Sequence, residues 1–415
     1  MLTKLSFAMM AASSAALLQT FTPSGPNAST YAYISNGSVT VPEPMPYTPA
    51  GGFGTNGSYP LYHPLSDFDY ESLSLALYQE LIELDLFHYG LAAFSAEEFE
   101  AAGLNAADRY LIEFMADQEV GHATLIRNML GVSAPQPCVY KYPFTTVKGF
   151  LDFTQKLTRF GESGVYGFLE HLDSRASAQL LLQSITTEAR QQMIFRQFDG
   201  LFPMPVWFEA GITQSMAWTL LAPYIVSCPA SNLGANKLAW QNFPALNVTN
   251  NPSVVPPQNT TQVYGAAITP AQNRTTPISG PGRNVTFTFE APGRPVGPNG
   301  SYITATSAGL PAYIAWVSQL NVTFSPFTAT GNNSGYTIQP NDTVFPAYFG
   351  QAPLSNITTN LGSQPNNNAA TDGIINGTMF VALVDAATPA LNLSAFNLSM
   401  INSHIVAGPA IYQAY

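Results

Sequence analysis

Four helical patterns between about Pro60 and Gly200 each carry polar residues on a face that should be buried, and this feature restricts the fold more than any other. In SLALYQELIELDLFHYGL, Leu73, Leu77, Glu80, Leu84 and Phe87 recur at steps of three and four, which stack on one side of a helix. Glu80 therefore points where leucines point. In AADRYLIEFMADQEVGHATLIRNML, the same spacing links Ile112, Met115, Glu119, His122, Ile126 and Met129, an E-x-x-H on an inward stripe. The last pattern, SAQLLLQSITTEARQQMIFRQF, aligns Leu181, Ser184, Glu188, Gln191 and Phe195. A buried, unpaired carboxylate costs several kcal/mol, so these groups need partners, and a shared cation is the simplest one.

Inward Glu and E-x-x-H are the parts from which carboxylate-bridged di-metal four-helix bundles are built. The phrases QELIELDLFHYGL, FMADQEVGHATLIRNMLG, QKLTRFGESGVYGF and TTEARQQMIFRQFDGLFPMPVWF resemble fungal secreted proteins with a ferritin-like domain, described as stress-response or sexual-development proteins. The resemblance covers roughly Pro60 to Cys228. It implies metal ligands at Glu80, Glu119, His122 and Glu188, with iron or manganese as the ion. Two positions depart from the ferritin-like pattern. The expected helix-three Glu falls at about Thr158, with Glu162 one turn further on as a substitute, and the helix-four His is Gln191. Phe87 stands where ferritins often carry a Tyr. These departures imply at most one ion. They also leave open a metal-free polar network with Arg190 or Gln191 as partner. Glu83, Asp85 and His88 are expected on a helix flank facing solvent, and His171 and Glu170 at the surface end of helix three.

Outside this core the chain reads as an exported glycoprotein. Residues 1–20 combine one Lys with a short apolar, small-residue run, as a secretory signal does, and residues 21–59 read as an extended arm. Charged residues are only 9% of the chain, the net charge is −11 and nothing forms a basic stripe, which argues against a nucleic-acid partner. No later stretch has the length and apolarity of a membrane span. Solubility would come from N-linked glycans at Asn27, Asn36, Asn56, Asn247, Asn259, Asn273, Asn284, Asn299, Asn321, Asn332, Asn341, Asn356, Asn376, Asn392 and Asn397. In a secreted chain the two cysteines, Cys138 and Cys228, are expected to be bridged.

The expected architecture is α+β in two domains. Residues 60–230 form the ferritin-like four-helix bundle plus an aromatic fifth helix near 206–226. Residues 231–415 form a β-rich, sandwich-like domain, because short runs such as NVTFTFEA, SYITATSA, YIAWVSQLNVTF, GYTIQ and MFVALVDA alternate between turn clusters. Asn105 with Asp108 should cap helix two, Gly131 should close it, and Gly161, Gly164 and Gly167 should let a neighbour approach helix three. Asp342, Asp372 and Asp385 read as turn residues, and no G-x-S-x-G elbow supports serine catalysis. Two functional classes follow. One is a metal-dependent redox or metal-binding protein. The other is a non-enzymatic extracellular or wall-associated glycoprotein whose β-rich part contacts wall material or other copies.

Overall fold

A computed structural model describes residues 62–233, 237–252, 279–341 and 377–414. The signal and arm, seven of the sequons (Asn27, Asn36, Asn56, Asn259, Asn273, Asn356 and Asn376), and Asp342 and Asp372 lie outside the described residues. Four long helices form the bundle: α1 (Asp67–Ala93), α3 (Ala106–Leu130), α4 (Val147–Phe168) and α5 (Arg175–Phe198), with a short α2 (Ala96–Ala101) before α3. Asn105 and Asp108 make a reciprocal capping box on α3, and Gly131 ends that helix at φ 62°. Asp69 fastens the bundle's end, since one carboxylate accepts from the backbone amides of Leu65, Asp173 and Ser174.

The glycines of α4 behave as their spacing predicts. A Cβ on Gly161 would come within 2.5 Å of Gln79 Cγ, and one on Gly167 within 1.7 Å of the Ile212 carbonyl oxygen. An extended segment before the fifth helix occupies that groove, held by Ile212 N donating to Ser163 O at 2.9 Å. The fifth helix is accordingly shorter than its apolar run suggests. Here α6 covers only Gln214–Leu221, and Ile225–Ser227 is already strand β2, paired with β1 (Val139–Tyr140). Pro223 falls inside the expected helix and follows the end of α6, while Pro203 and Pro205 lie before the run. Cys138 and Cys228, beside this small ribbon, form the expected disulfide. Closing a loop of 90 residues contributes up to roughly 4 kcal/mol on the chain-entropy view.

The C-terminal part is a sandwich of two four-stranded antiparallel sheets. One has the order β3-β4-β10-β9: β3 Leu246–Val248, β4 Asn284–Phe289, β10 Ser334–Ile338 and β9 Thr328–Gly331. The other has the order β12-β11-β7-β8: β12 Ile405–Ala414, β11 Gly377–Asp385, β7 Pro311–Ser318 and β8 Asn321–Pro326. A separate two-stranded ribbon pairs β5 (Pro295–Val296) with β6 (Tyr302–Ile303). The run YIAWVSQLNVTF is a hairpin rather than one strand, turning at Gln319 with φ 48°. Strand β12 had no clear signal, because Gly408 and Pro409 interrupt it; a register shift opposite them lets the ladder continue.

Sheet β12-β11-β7-β8 is covered on both faces. Ile314, Trp316, Val381, Leu383 and Tyr412 pack between the sheets, while Ala315, Val317, Phe380, Ala382 and Val384 join the helical core. That shared core includes Tyr78 of α1 and Trp218 of α6, whose ring lies 5.3 Å from Tyr78 and 5.2 Å from Tyr302. Asp385 ends β11 as a turn residue, accepting from Gly309 N, Ala387 N and the His404 ring.

Candidate metal centre

The interior of the bundle gathers the carboxylates that the sequence placed on inward stripes. Helix α1 contributes Glu80, α3 contributes Glu119 and His122, and α5 contributes Glu188; exposures are 3%, 0%, 9% and 2%. His122 Nδ1 lies 3.1 Å from Glu119 Oε2, 3.3 Å from Glu80 Oε2 and 3.8 Å from Glu188 Oε1. Glu80, Glu119 and His122 each offer a ligand atom within 4.8 Å of the others.

Thr187, one residue before Glu188, fixes how the imidazole presents itself. Its hydroxyl donates its one proton to Ser184 O at 2.7 Å, so toward His122 Nε2, at 2.8 Å, it can only accept. Nε2 therefore carries hydrogen, and Nδ1 is left to face three carboxylates. Such an arrangement suits either an imidazolium or a neutral imidazole whose Nδ1 lone pair binds a cation. Metal-ligating histidines characteristically donate their second nitrogen to an outer partner in this way.

Burial and mutual repulsion disfavour the ionised form of these carboxylates. Burial, and then the charge of Glu119, pushes Glu80 well above the usual carboxylate range. Burial raises Glu188 similarly, with Glu80, Glu83 and Glu119 adding to it. Burial alone would lower the His122 pKa, but the hydrogen bond and charge of Glu119, with Glu188 and Glu83, outweigh it and hold the imidazolium. Glu80 Oε2 and Glu188 Oε1 have no hydrogen-bond partner among the described residues. Oxygen-rich donors with one imidazole fit a divalent ion such as iron or manganese, so the residues present fit one such ion.

The second half of the expected di-metal pattern is filled differently. Gln191 takes the place of a histidine and donates to Glu119 Oε1 at 2.5 Å. Thr158 is fully buried, and its hydroxyl has no partner among the described residues. Glu162 is buried too, but it is paired with Arg159 Nη1 at 2.9 Å and is not among the converging ligands. Arg190 is exposed, so Gln191 alone serves as the neutral partner. Phe87 is buried against Phe195, with ring centroids 5.5 Å apart.

One residue of the centre escaped the sequence reading. Glu83, expected at the solvent flank, is 0% exposed and accepts a 2.5 Å hydrogen bond from Gln79 Nε2. Helix α1 is apolar around most of its circumference and buried on nearly every side, so it has no solvent face to receive Glu83. The available signal was its position one turn after Glu80. Asp85 and His88 are half-buried, with Asp85 accepting from the Tyr142 hydroxyl at 2.6 Å.

A helical bundle that brings a Glu and an E-x-x-H together, with a further Glu on a third helix 3.8 Å from the histidine and outside the converging trio, has the arrangement of the ferritin-like class. Residues 68–200 match the family model of the ferritin-like domain. The chain is also 53% identical over 393 residues to Protein rds1 of Schizosaccharomyces pombe, across 92% of this chain and 90% of that protein. It belongs to this fungal ferritin-like family.

Proposed function

We propose that this protein is a secreted, N-glycosylated ferritin-like protein that holds one iron or manganese ion through Glu80, Glu119, His122 and Glu188, and that it serves in stress or development through that ion. The observation that carries this reading is the orientation of His122, whose Nε2 is committed to Thr187 while Nδ1 meets three carboxylates. When bound, such an ion supplies Lewis acidity and one-electron redox chemistry. The chain's own residues orient the ligands and exclude bulk water. Among the described sequons, Asn247, Asn284, Asn299, Asn332, Asn341 and Asn392 are exposed, which supports glycan attachment. Asn321 is buried at the start of β8, and Asn397 is half-buried with its amide bonded to Asn392 O and Ser394 N, so neither is presented like the others. Among the described residues no helix is long and apolar enough to cross a membrane.

Elemental analysis of glycosylated protein purified without chelator tests the site. One transition-metal ion per chain is expected, with His122→Ala abolishing it and Glu188→Ala weakening it, since water can replace one carboxylate. Because burial holds Glu80 and Glu188 protonated above their ordinary range, the ion must displace protons; uptake strengthens as pH rises and is lost in acid. The Gln191–Glu119 hydrogen bond favours a second reading, in which the centre is a structural network inside a wall-associated glycoprotein. Absence of metal after reconstitution with iron or manganese, together with a lower Tm in both variants, would establish that reading instead.

A further inference from the structure

The four long helices do not share the solvent equally. Helix α4 has no exposed residue, and α1 has them only at its C-terminal end, at Tyr89, Ala92 and Ala93. Helices α3 and α5 carry exposed residues along their length, with Asp117 and Gly121 on α3 and Thr186 and Arg190 on α5 beside the ligand positions. The centre is therefore nearest to water at the seam between α3 and α5. His122, at 9%, is the most exposed of its four side chains.

Two side-chain hydrogen bonds cross that seam. In one, His122 Nε2 donates to Thr187 Oγ1 at 2.8 Å; in the other, Gln191 Nε2 donates to Gln118 Oε1 at 3.3 Å. Residues 118 and 122 are four apart, as are 187 and 191, so the two bonds are rungs about 5.4 Å apart, one helical pitch. Directly behind them lies Glu119, whose Oε1 accepts the other proton of the Gln191 amide at 2.5 Å. Outside them is Gly121, with nothing within 4 Å of its would-be Cβ. Once the radii of the rung atoms are allowed for, the gap does not pass a divalent ion with its water shell, so one rung must open.

We propose that a divalent ion enters and leaves the centre through the α3–α5 seam, and that Gln118 is its gate. The Gln118 rung is the one that yields. Its 3.3 Å is long for an N–H···O bond, its acceptor belongs to a half-buried side chain with free space beside Gly121, and Gln191 stays anchored through Glu119 when Gln118 swings out. The His122 rung cannot open without turning a ligand away from the centre. Gly121 keeps the outer rim clear of side chain.

This inference rests on the metal reading above, and the measurement separates the two. Uptake of manganese(II) by the full chain is followed after rapid mixing through loss of the free ion's electron paramagnetic resonance signal, and release through transfer to excess chelator. Equilibrium dialysis gives Kd, and far-UV circular dichroism is the folding control. Gly121→Trp, which lays an indole over the rim, should slow uptake and release by the same factor, roughly tenfold for a barrier raised by about 1.4 kcal/mol, with Kd unchanged. Gln118→Ala removes the gate and should speed both equally, again at constant Kd. Gln179→Trp, exposed on α5 more than two turns from Glu188, should match wild type. Wild-type rates in folded Gly121→Trp and Gln118→Ala overturn the route and leave the single bound ion standing. So does a Kd that shifts through release alone in Gln118→Ala, since that would make Gln118 a positioning residue for Glu119. If Gly121→Trp does not fold, Gln118→Ala decides by itself. A wild type that takes up no manganese overturns the metal reading, and the route with it.

Discussion

Thr187 controls the centre without being one of its ligands. As the acceptor for His122 Nε2–H, it selects the tautomer that offers Nδ1 to the carboxylates. Thr187→Val keeps the shape and removes the acceptor, and loss of such an outer partner typically weakens metal binding by about 10–100-fold. Thr187→Ser should restore affinity, with both measured by competition against a chelator of known strength. Equal affinity in the Val variant would show that the hydroxyl does not set the imidazole. The inward acids and His122 were legible in the sequence, because a carboxylate on a stripe of Leu, Ile and Met is conspicuous. Thr187 was not, since a hydroxyl beside an inward Glu has no periodic signature. Glu83 was missed because α1 presents apolar residues all round, so spacing alone offers no way to tell an inward acid from an outward one.

Among the elements, glycine has opposite meanings on neighbouring helices. On α4, Gly167 admits the Ile212 backbone, and the Cβ of Gly167→Ala would sit 1.7 Å from a carbonyl oxygen that is held in place by the Ile212–Ser163 hydrogen bond. Overpacking of this kind costs typically 1–3 kcal/mol, and we expect a loss at the upper end of about that range, because backbone must move. On α3, Gly121 lies next to His122 but has nothing within 4 Å of its would-be Cβ. Gly121→Ala should stabilise by roughly 0.5–1 kcal/mol through helix propensity. Denaturant unfolding of the two variants checks both signs, and a tolerated Gly167→Ala would remove the explanation for the short fifth helix. The run 206–226 read as one helix because apolar content alone does not separate a helix from extended chain packed in a groove. Only the fold shows that its first half runs as extended chain along α4. Strand β12 was hidden for a related reason, since Gly408 and Pro409 read as an end to pairing where the ladder merely shifts register.

Across the whole molecule, the sequence showed the change in composition beyond residue 231 but not the continuity of the core across it. Strand β11, Gly377 to Asp385, is buried at every residue but the half-buried Thr378, with bundle side chains on one face and the facing sheet on the other. Its sequence, MFVALVD, carries apolar residues on both faces where a half-solvated strand would alternate. The amides of Met379–Leu383 should therefore be among the slowest in the chain to exchange with deuterium, opening only when the molecule unfolds globally. Exchange of β11 well before the bundle helices would show that the sandwich unfolds independently. The helical part emerges first, yet Trp218, Met216 and Ile212 find part of their cover in β11 and β12, more than 150 residues later. Until those strands arrive, the nascent bundle carries an uncovered aromatic flank. A protein built this way depends on its last strands to finish what its first helices begin, and C-terminal truncation should impair the bundle as well as the sheet.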